Sequence, residues 1–172
     1  MNATSAPPPG AHASRSSELR RAWMAVLARA PRPDLEAALA AALEGAAAPA
    51  FDWLRPPQTG LAMVRGRIGG TGNAFNLGEA TVTRATLRLR GQDGAGSGSG
   101  TVGVACHLGR DKRRAELAAL ADALLQQPER HARLHAQLIA PLAARQAAQR
   151  AARRDDAAST KVEFFTMVRG DA

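Results

Sequence analysis

Ala80-Thr81-Val82-Thr83-Arg84-Ala85-Thr86-Leu87-Arg88-Leu89-Arg90 is the stretch that decides the fold. Val82, Ala85, Leu87 and Leu89 alternate with Thr81, Thr83, Thr86, Arg88 and Arg90, with one slip near Arg84. A period of two predicts a strand with one buried face. Just upstream, Gly69-Gly70-Thr71-Gly72-Asn73 reads as a turn. Before it lie two apolar runs, Phe51-Asp52-Trp53-Leu54, ended by Pro56-Pro57, and Leu61–Ile68. Each reads as a strand, and the prolines, which cannot donate to a ladder, end the first. Downstream, Gly91–Gly100 (GQDGAGSGSG) is a flexible loop without core potential, and Thr101–Leu108 is the next strand. The short connections predict antiparallel pairing.

Helical patterns flank this block. Residues 1–15 are small and Pro-rich and read as a disordered tail. Ser16 and Ser17 then offer an N-cap for a first helix whose apolar face is Leu19, Trp23, Val26, Leu27 and Ala30. Pro31 and Pro33 stop it. A second helix follows over Asp34–Glu44, with Leu35, Leu39 and Leu43 in line and Gly45 at its end. After the strands, Asp111 caps a helix to about Gln127 with Leu117, Leu120, Leu124 and Leu125 as its stripe. Pro128 restarts a helix carrying Leu134, Leu138 and Leu142, which Pro141 kinks or breaks. The segment Leu142–Ala158 has one large apolar residue and gains little from burial, so it lies solvated or docks closely through alanines. The last segment, Lys161–Gly170, reads as a strand with Val162, Phe164 and Val168 on one face and Phe165 and Met167 on the other. Apolar on both faces, it wants cover on both, and a partner chain can supply one. The expected fold is therefore α+β. It is a single domain over residues 16–172, with an antiparallel sheet of about four to five strands. An N-terminal helical hairpin and C-terminal helices flank that sheet.

Composition narrows the function. The 172 residues include 40 alanines and only 38 larger apolar side chains, enough for one modest core. No apolar run approaches the roughly 20 residues of a membrane span. The N-terminus has no secretory pattern, and one cysteine excludes an internal disulfide and a cysteine-based zinc framework, so a cytoplasmic location is expected. The formal charge is +8, and 21 of the 23 cations are arginine. Part of that excess is compositional habit, as with alanine, but the net charge still favours anionic partners.

No self-sufficient catalytic set appears. Gly69, Gly70, Thr71 and Gly72 could approach a phosphate, but no Lys-Ser/Thr pair follows, and a hairpin turn is the plainer reading. Arg110 and Lys112 stand where a strand enters a helix, a place for an anion, but Asp111 competes as the cap. His131 and His135 have a metal-compatible spacing without the supporting Glu or Cys, so no metal is expected. Cys106 and His107 point to opposite faces of a strand, and Cys106 reads as a small core residue. Arg145, Arg150, Arg153 and Arg154 could track phosphates, yet six aromatics and no Tyr leave few stacking platforms for nucleic acid. The residues point to a subunit.

Several blocks in fixed order carry a resemblance. They are Arg21-Ala22-Trp23-Met24, Thr59-Gly60-Leu61, Arg67-Ile68-Gly69-Gly70-Thr71-Gly72 and Gly78-Glu79-Ala80-Thr81-Val82-Thr83-Arg84. Leu108-Gly109-Arg110-Asp111-Lys112, Asp122-Ala123-Leu124 and the closing Val162-Glu163-Phe164-Phe165-Thr166-Met167-Val168-Arg169-Gly170 follow. From about residue 16 onward the sequence resembles the PhnG family of carbon–phosphorus lyase subunits. It departs from that pattern in the N-terminal tail, at Gly91–Gly100, and at Cys106 and His107.

The resemblance implies an accessory subunit acting with PhnH-, PhnI-, PhnJ- and PhnL-like chains. Such a complex replaces the adenine of ATP with an alkylphosphonate at C1′ of the ribose. The product is a ribose 1-(alkylphosphonate) 5-triphosphate. ATP and alkylphosphonate are then substrates of the complex, and no cofactor is expected on this chain. Within the matching blocks Arg84, Arg110, Lys112 and Arg169, with the Gly69–Gly72 backbone, become candidates for an anion site or for inter-subunit ion pairs. Phe164, Phe165, Met167 and Val168 become candidates for a subunit interface. A pure scaffold is the alternative, and an independent nucleic-acid binder a remote one.

Overall fold

The computed structural model describes residues 9–90 and 100–161. The final strand expected over Lys161–Gly170, with Phe164, Phe165, Met167, Val168 and Arg169, lies outside them, as does nearly all of the 91–100 loop. Among the described residues the order is α1 (Pro9–Leu27), α2 (Arg32–Ala42), β1 (Phe51–Arg67), β2 (Ala74–Leu89), β3 (Val102–Leu108), α3 (Lys112–Leu125), α4 (Pro128–Leu134) and α5 (Ala140–Ser159). The α+β class and the antiparallel pairing hold. The sheet has three strands among these residues, in the order β1-β2-β3.

The strand count falls because the two expected upstream strands are one. β1 runs straight through Pro56 and Pro57. It is an edge strand, so the missing proline N–H groups remove few ladder bonds, and register shifts between Trp53 and Arg55 and between Arg55 and Gln58 absorb the rest. The slip expected near Arg84 is absent. Thr83, Ala85, Leu87 and Leu89 form the buried face of β2, and Val82 lies on the other. Thr83 can be buried because its hydroxyl donates to the Gly109 carbonyl at 2.7 Å and meets the Thr59 hydroxyl at 3.0 Å.

One face of the sheet is covered by α3, whose other sides meet α1, α2 and α4. A helix enclosed on all sides needs no single apolar stripe. Residues Leu117–Leu125 are accordingly all buried, including Ala118, Ala119, Ala123 and the acid Asp122, which lie off the expected stripe. The alanines let the helix approach the sheet closely. A Cβ on Gly103 would collide with the Ala119 carbonyl oxygen and stand 2.8 Å from the Ala123 methyl. Trp23, Leu27, Leu35 and Leu39 close the core from the α1–α2 side. Leu19, expected on that face, is exposed.

Helix α1 also begins earlier than expected, at Pro9, so Ser16 and Ser17 lie inside it rather than at its cap. Proline's fixed φ suits a first helical turn. At the far end α4 passes into α5 through a π turn over His135–Ile139. Pro141 follows at once and lacks the N–H that an α-helix would offer to the Gln137 carbonyl, so the wider turn accommodates it without a break.

The polar centre of this packing is Asp122, fully buried on α3. Arg20 of α1 donates to its two oxygens at 3.2 and 2.7 Å, and the Trp23 indole N–H donates at 2.9 Å. The backbone N–H of Val104 donates at 2.9 Å and the Gln126 amide at 3.3 Å. Sequence reading gave this aspartate no role beyond a place in a matching block.

Two outcomes are expected in urea titrations followed by circular dichroism. Asp122→Ala leaves Arg20, Trp23 and Val104 without their acceptor and lowers stability by about 3–5 kcal/mol. Gly103→Ala forces β3 away from α3 and costs about 1–3 kcal/mol, although alanine is the better helix and strand former.

Candidate interaction and anion sites

β3 ends at Leu108, opposite Val82. Beyond that point β1 and β2 continue as a two-stranded arm, Gly60–Arg67 against Ala74–Thr81. The arm turns at Ile68–Gly70, where Gly69 and Gly70 hold φ of 60° and 79°. Those values belong to glycine, and they make the Gly-rich motif a hairpin turn. Arg67 donates to the Gly72 carbonyl at 3.0 Å and ties the turn shut.

The arm is apolar and uncovered. Leu61 and Met63 pair opposite Thr81 and Glu79, on the side that carries buried Thr83. A register shift at Val64/Arg65 then turns Leu77 and Phe75 to the opposite side, with Val64 and Gly66. Leu77 lies across Gly66, where an added Cβ would stand 2.7 Å from its Cδ1. Leu61, Leu77 and Ile68 are 64%, 61% and 76% exposed. A ribbon with large apolar groups on both faces cannot be covered by its own domain. Sequence reading assigned that property to the C-terminal segment and missed it here. The signal was present in Leu61-Ala62-Met63-Val64, an unbroken apolar run.

The expected anion candidates fall in two places. Arg84 sits on the open face of β2, across from Gln58 and Cys106. Arg110 and Lys112 are exposed at the β3–α3 corner. Gly69–Gly72 lie at the arm tip, eight strand residues beyond Val82, or about 26 Å away. One anion therefore cannot touch both groups on a single chain. At the corner Asp111 takes the helix N-terminus, accepting from the Arg114 N–H at 3.0 Å, while Arg32 stands 3.8 Å from its other oxygen.

Cys106 is exposed on the open face rather than in the core. The strand pleat explains the difference, because the inward positions of β3 belong to Gly103, Ala105 and His107. His107 is held between the Leu108 and Asp111 carbonyls. His131 turns its Nδ1 to the Leu125 carbonyl at 2.7 Å and packs on Trp23. No group of three metal-ligating side chains occurs among the described residues. Nor is any described helix long and apolar enough to cross a membrane.

Charged groups are perturbed at two places, the Asp52–Arg90 pair and Arg114. Arg90 donates to Asp52 at 3.0 Å and holds that carboxyl below its ordinary value. Burial pulls the Arg114 guanidinium below its usual range, opposed by the Asp111 carboxylate. Arg114 also donates to the Ala28 carbonyl at 2.5 Å, at the end of α1.

A one-sided α+β sheet with a projecting, doubly apolar hairpin is the architecture of a chain that docks on others. Residues 18–170 match the family described as phosphonate metabolism protein PhnG, and the chain belongs to that family. It is 46% identical over 152 residues to the alpha-D-ribose 1-methylphosphonate 5-triphosphate synthase subunit PhnG of Rhizobium meliloti (strain 1021), covering 88% of this chain and 90% of that one.

At the corner, the role of the cap is separable from that of the exposed cation beside it. Asp111→Ala is expected to lower stability by about 1 kcal/mol, while Arg110→Ala leaves it unchanged, both read from denaturation midpoints.

Proposed function

We propose that this chain is the accessory PhnG subunit of an alpha-D-ribose 1-methylphosphonate 5-triphosphate synthase. In that complex, cytoplasmic PhnH-, PhnI- and PhnL-like chains transfer the ribose triphosphate of ATP to an alkylphosphonate with loss of adenine. A PhnJ-like chain acts on the product later. The observation that carries the reading is the 46% identity, over nearly all of both chains, to a protein named as that subunit.

The geometry answers to it. Cys106 and His107 lie on opposite faces of β3 and make no nucleophile–base pair with each other. What the chain offers instead is the arm, whose apolar groups on both faces fit between two surfaces of a larger assembly. The substrates and product are polyanions, and a chain of charge +8 lowers the electrostatic cost of gathering them.

Co-expression with the PhnH-, PhnI- and PhnL-like chains, followed by light scattering, tests the proposal. A stable hetero-oligomer containing this chain is expected. Leu61→Asp with Leu77→Asp should leave the circular dichroism of the chain intact and remove it from the complex, because two charges would then be buried. A monodisperse monomer that ignores all three partners would overturn the subunit reading. Normal assembly of the double variant would remove the arm from the contact.

A further inference from the structure

Away from the arm, a groove of about 430 Å³ opens between the end of α1, the β3–α3 corner at Leu108 and Arg114, and the length of α5. That volume falls within the range of about 300–1,000 Å³ typical of small-molecule sites. Arg29, Arg114, Gln146, Gln149, Arg150 and Arg153 line it, with no acidic residue among the lining groups. Gln146, Gln149, Arg150 and Arg153 follow helical spacing on α5 and form one stripe, roughly 10 Å long at the helical rise. Arg29 and Arg114 face it from the other side.

The groove gathers four arginines with no carboxylate among its lining groups. Arg20, Arg32, Arg90, Arg113, Arg133 and Arg145 all have carboxylate partners. On α5 itself, Arg145 pairs with Asp34 at 3.1 Å. Arg29, Arg150 and Arg153 have no carboxylate within ion-pair distance among the described residues, and Arg29 turns one nitrogen to its own helix at the Ala25 carbonyl. Arg114 caps α1 through the Ala28 carbonyl, while its Nε is buried without a hydrogen-bond partner among the described residues. Gln146 fixes α5 against α1 by donating to the Val26 carbonyl at 2.9 Å, so the two walls are held in place.

We propose that this groove binds a polyphosphate chain, with Arg29, Arg114, Arg150 and Arg153 supplying the guanidinium contacts. Guanidinium forks match tetrahedral phosphate oxygens, and a stripe of this length suits several linked phosphates better than one. The remaining lining groups, Ala28 and Leu108, offer no aromatic platform for a base, which argues against a nucleic-acid strand. A concave groove favours a compact anion over an acidic protein surface. The inference deepens the proposed function and rests on it for the ligand's identity, the 5-triphosphate of substrate or product. Binding of a polyphosphate as such does not depend on it.

Inorganic tripolyphosphate is titrated by calorimetry into the chain, in whichever form light scattering shows to be stable. Binding that weakens with added salt is expected. Arg150→Gln with Arg153→Gln should weaken it about tenfold or more. Arg55→Gln with Arg65→Gln, both exposed on β1, which contributes nothing to the groove, should change it less than about twofold. The groove is overturned if tripolyphosphate does not bind or if the Arg150/Arg153 pair has no effect. It is equally overturned if an oligoglutamate peptide binds there in preference to tripolyphosphate, which would make the groove a protein contact. Assembly is read separately. A chain that binds through the groove yet ignores the other subunits removes the proposed function and keeps the groove. A chain that assembles but binds no tripolyphosphate does the reverse.

Discussion

The carboxylate of Asp122 is the constraint on which the packing turns. A fully buried anion is tolerated only where every lone pair is met and a cation lies close. Here Arg20, Trp23, the Val104 amide and Gln126 meet it from three elements at once. Once that network forms, α1, α3 and β3 have one permitted arrangement. The apolar side chains around it are largely alanine and leucine and would accept others. Small residues give proximity without direction, and the hydrogen bonds supply the direction.

That anchoring leaves the sheet lopsided. The helices cover the half of β2 that pairs with β3, and the other half continues into solvent with β1. The apolar groups on the arm, Leu61, Met63, Val64, Phe75 and Leu77, are therefore not an extension of the core. They stand exposed on both faces of the arm, where the proposed subunit contact would cover them. Arg150 and Arg153 of α5 line a groove that shares no residue with the arm, so the two features need not compete for one partner.

Much of this was legible in the residues. The period of two through Thr81–Leu89 gave the central strand, and leucines four apart gave α2 and the α4–α5 rod. Asp111 read correctly as a cap and Gly69–Gly72 as a turn. The errors share a cause, since each depends on neighbours distant in sequence. Pro56 and Pro57 end a strand only if it is interior, and β1 is an edge. Thr83 is polar, yet Thr59 and Gly109 satisfy it. Asp122 drew no structural reading because its partner Arg20 lies 102 positions away. The groove was half visible, as Arg150 and Arg153 stood out, but Arg29 and Arg114 join them only in three dimensions.

The hydrogen bonds at Val104 and Val102 have another side. Both backbone groups lie on the outer edge of β3, where a further strand would pair. Asp122 accepts from the Val104 N–H, while Gln126 and Arg20 donate to the Val102 carbonyl. Side chains thus occupy the positions of a missing neighbour. Pro56 and Pro57 blunt the opposite edge, on β1. Native sheets need such protection against accretion of one molecule on the next. Among the described residues the arm keeps open backbone edges on both of its strands, so a strand contributed by another chain can pair at the same hairpin that carries the exposed apolar groups.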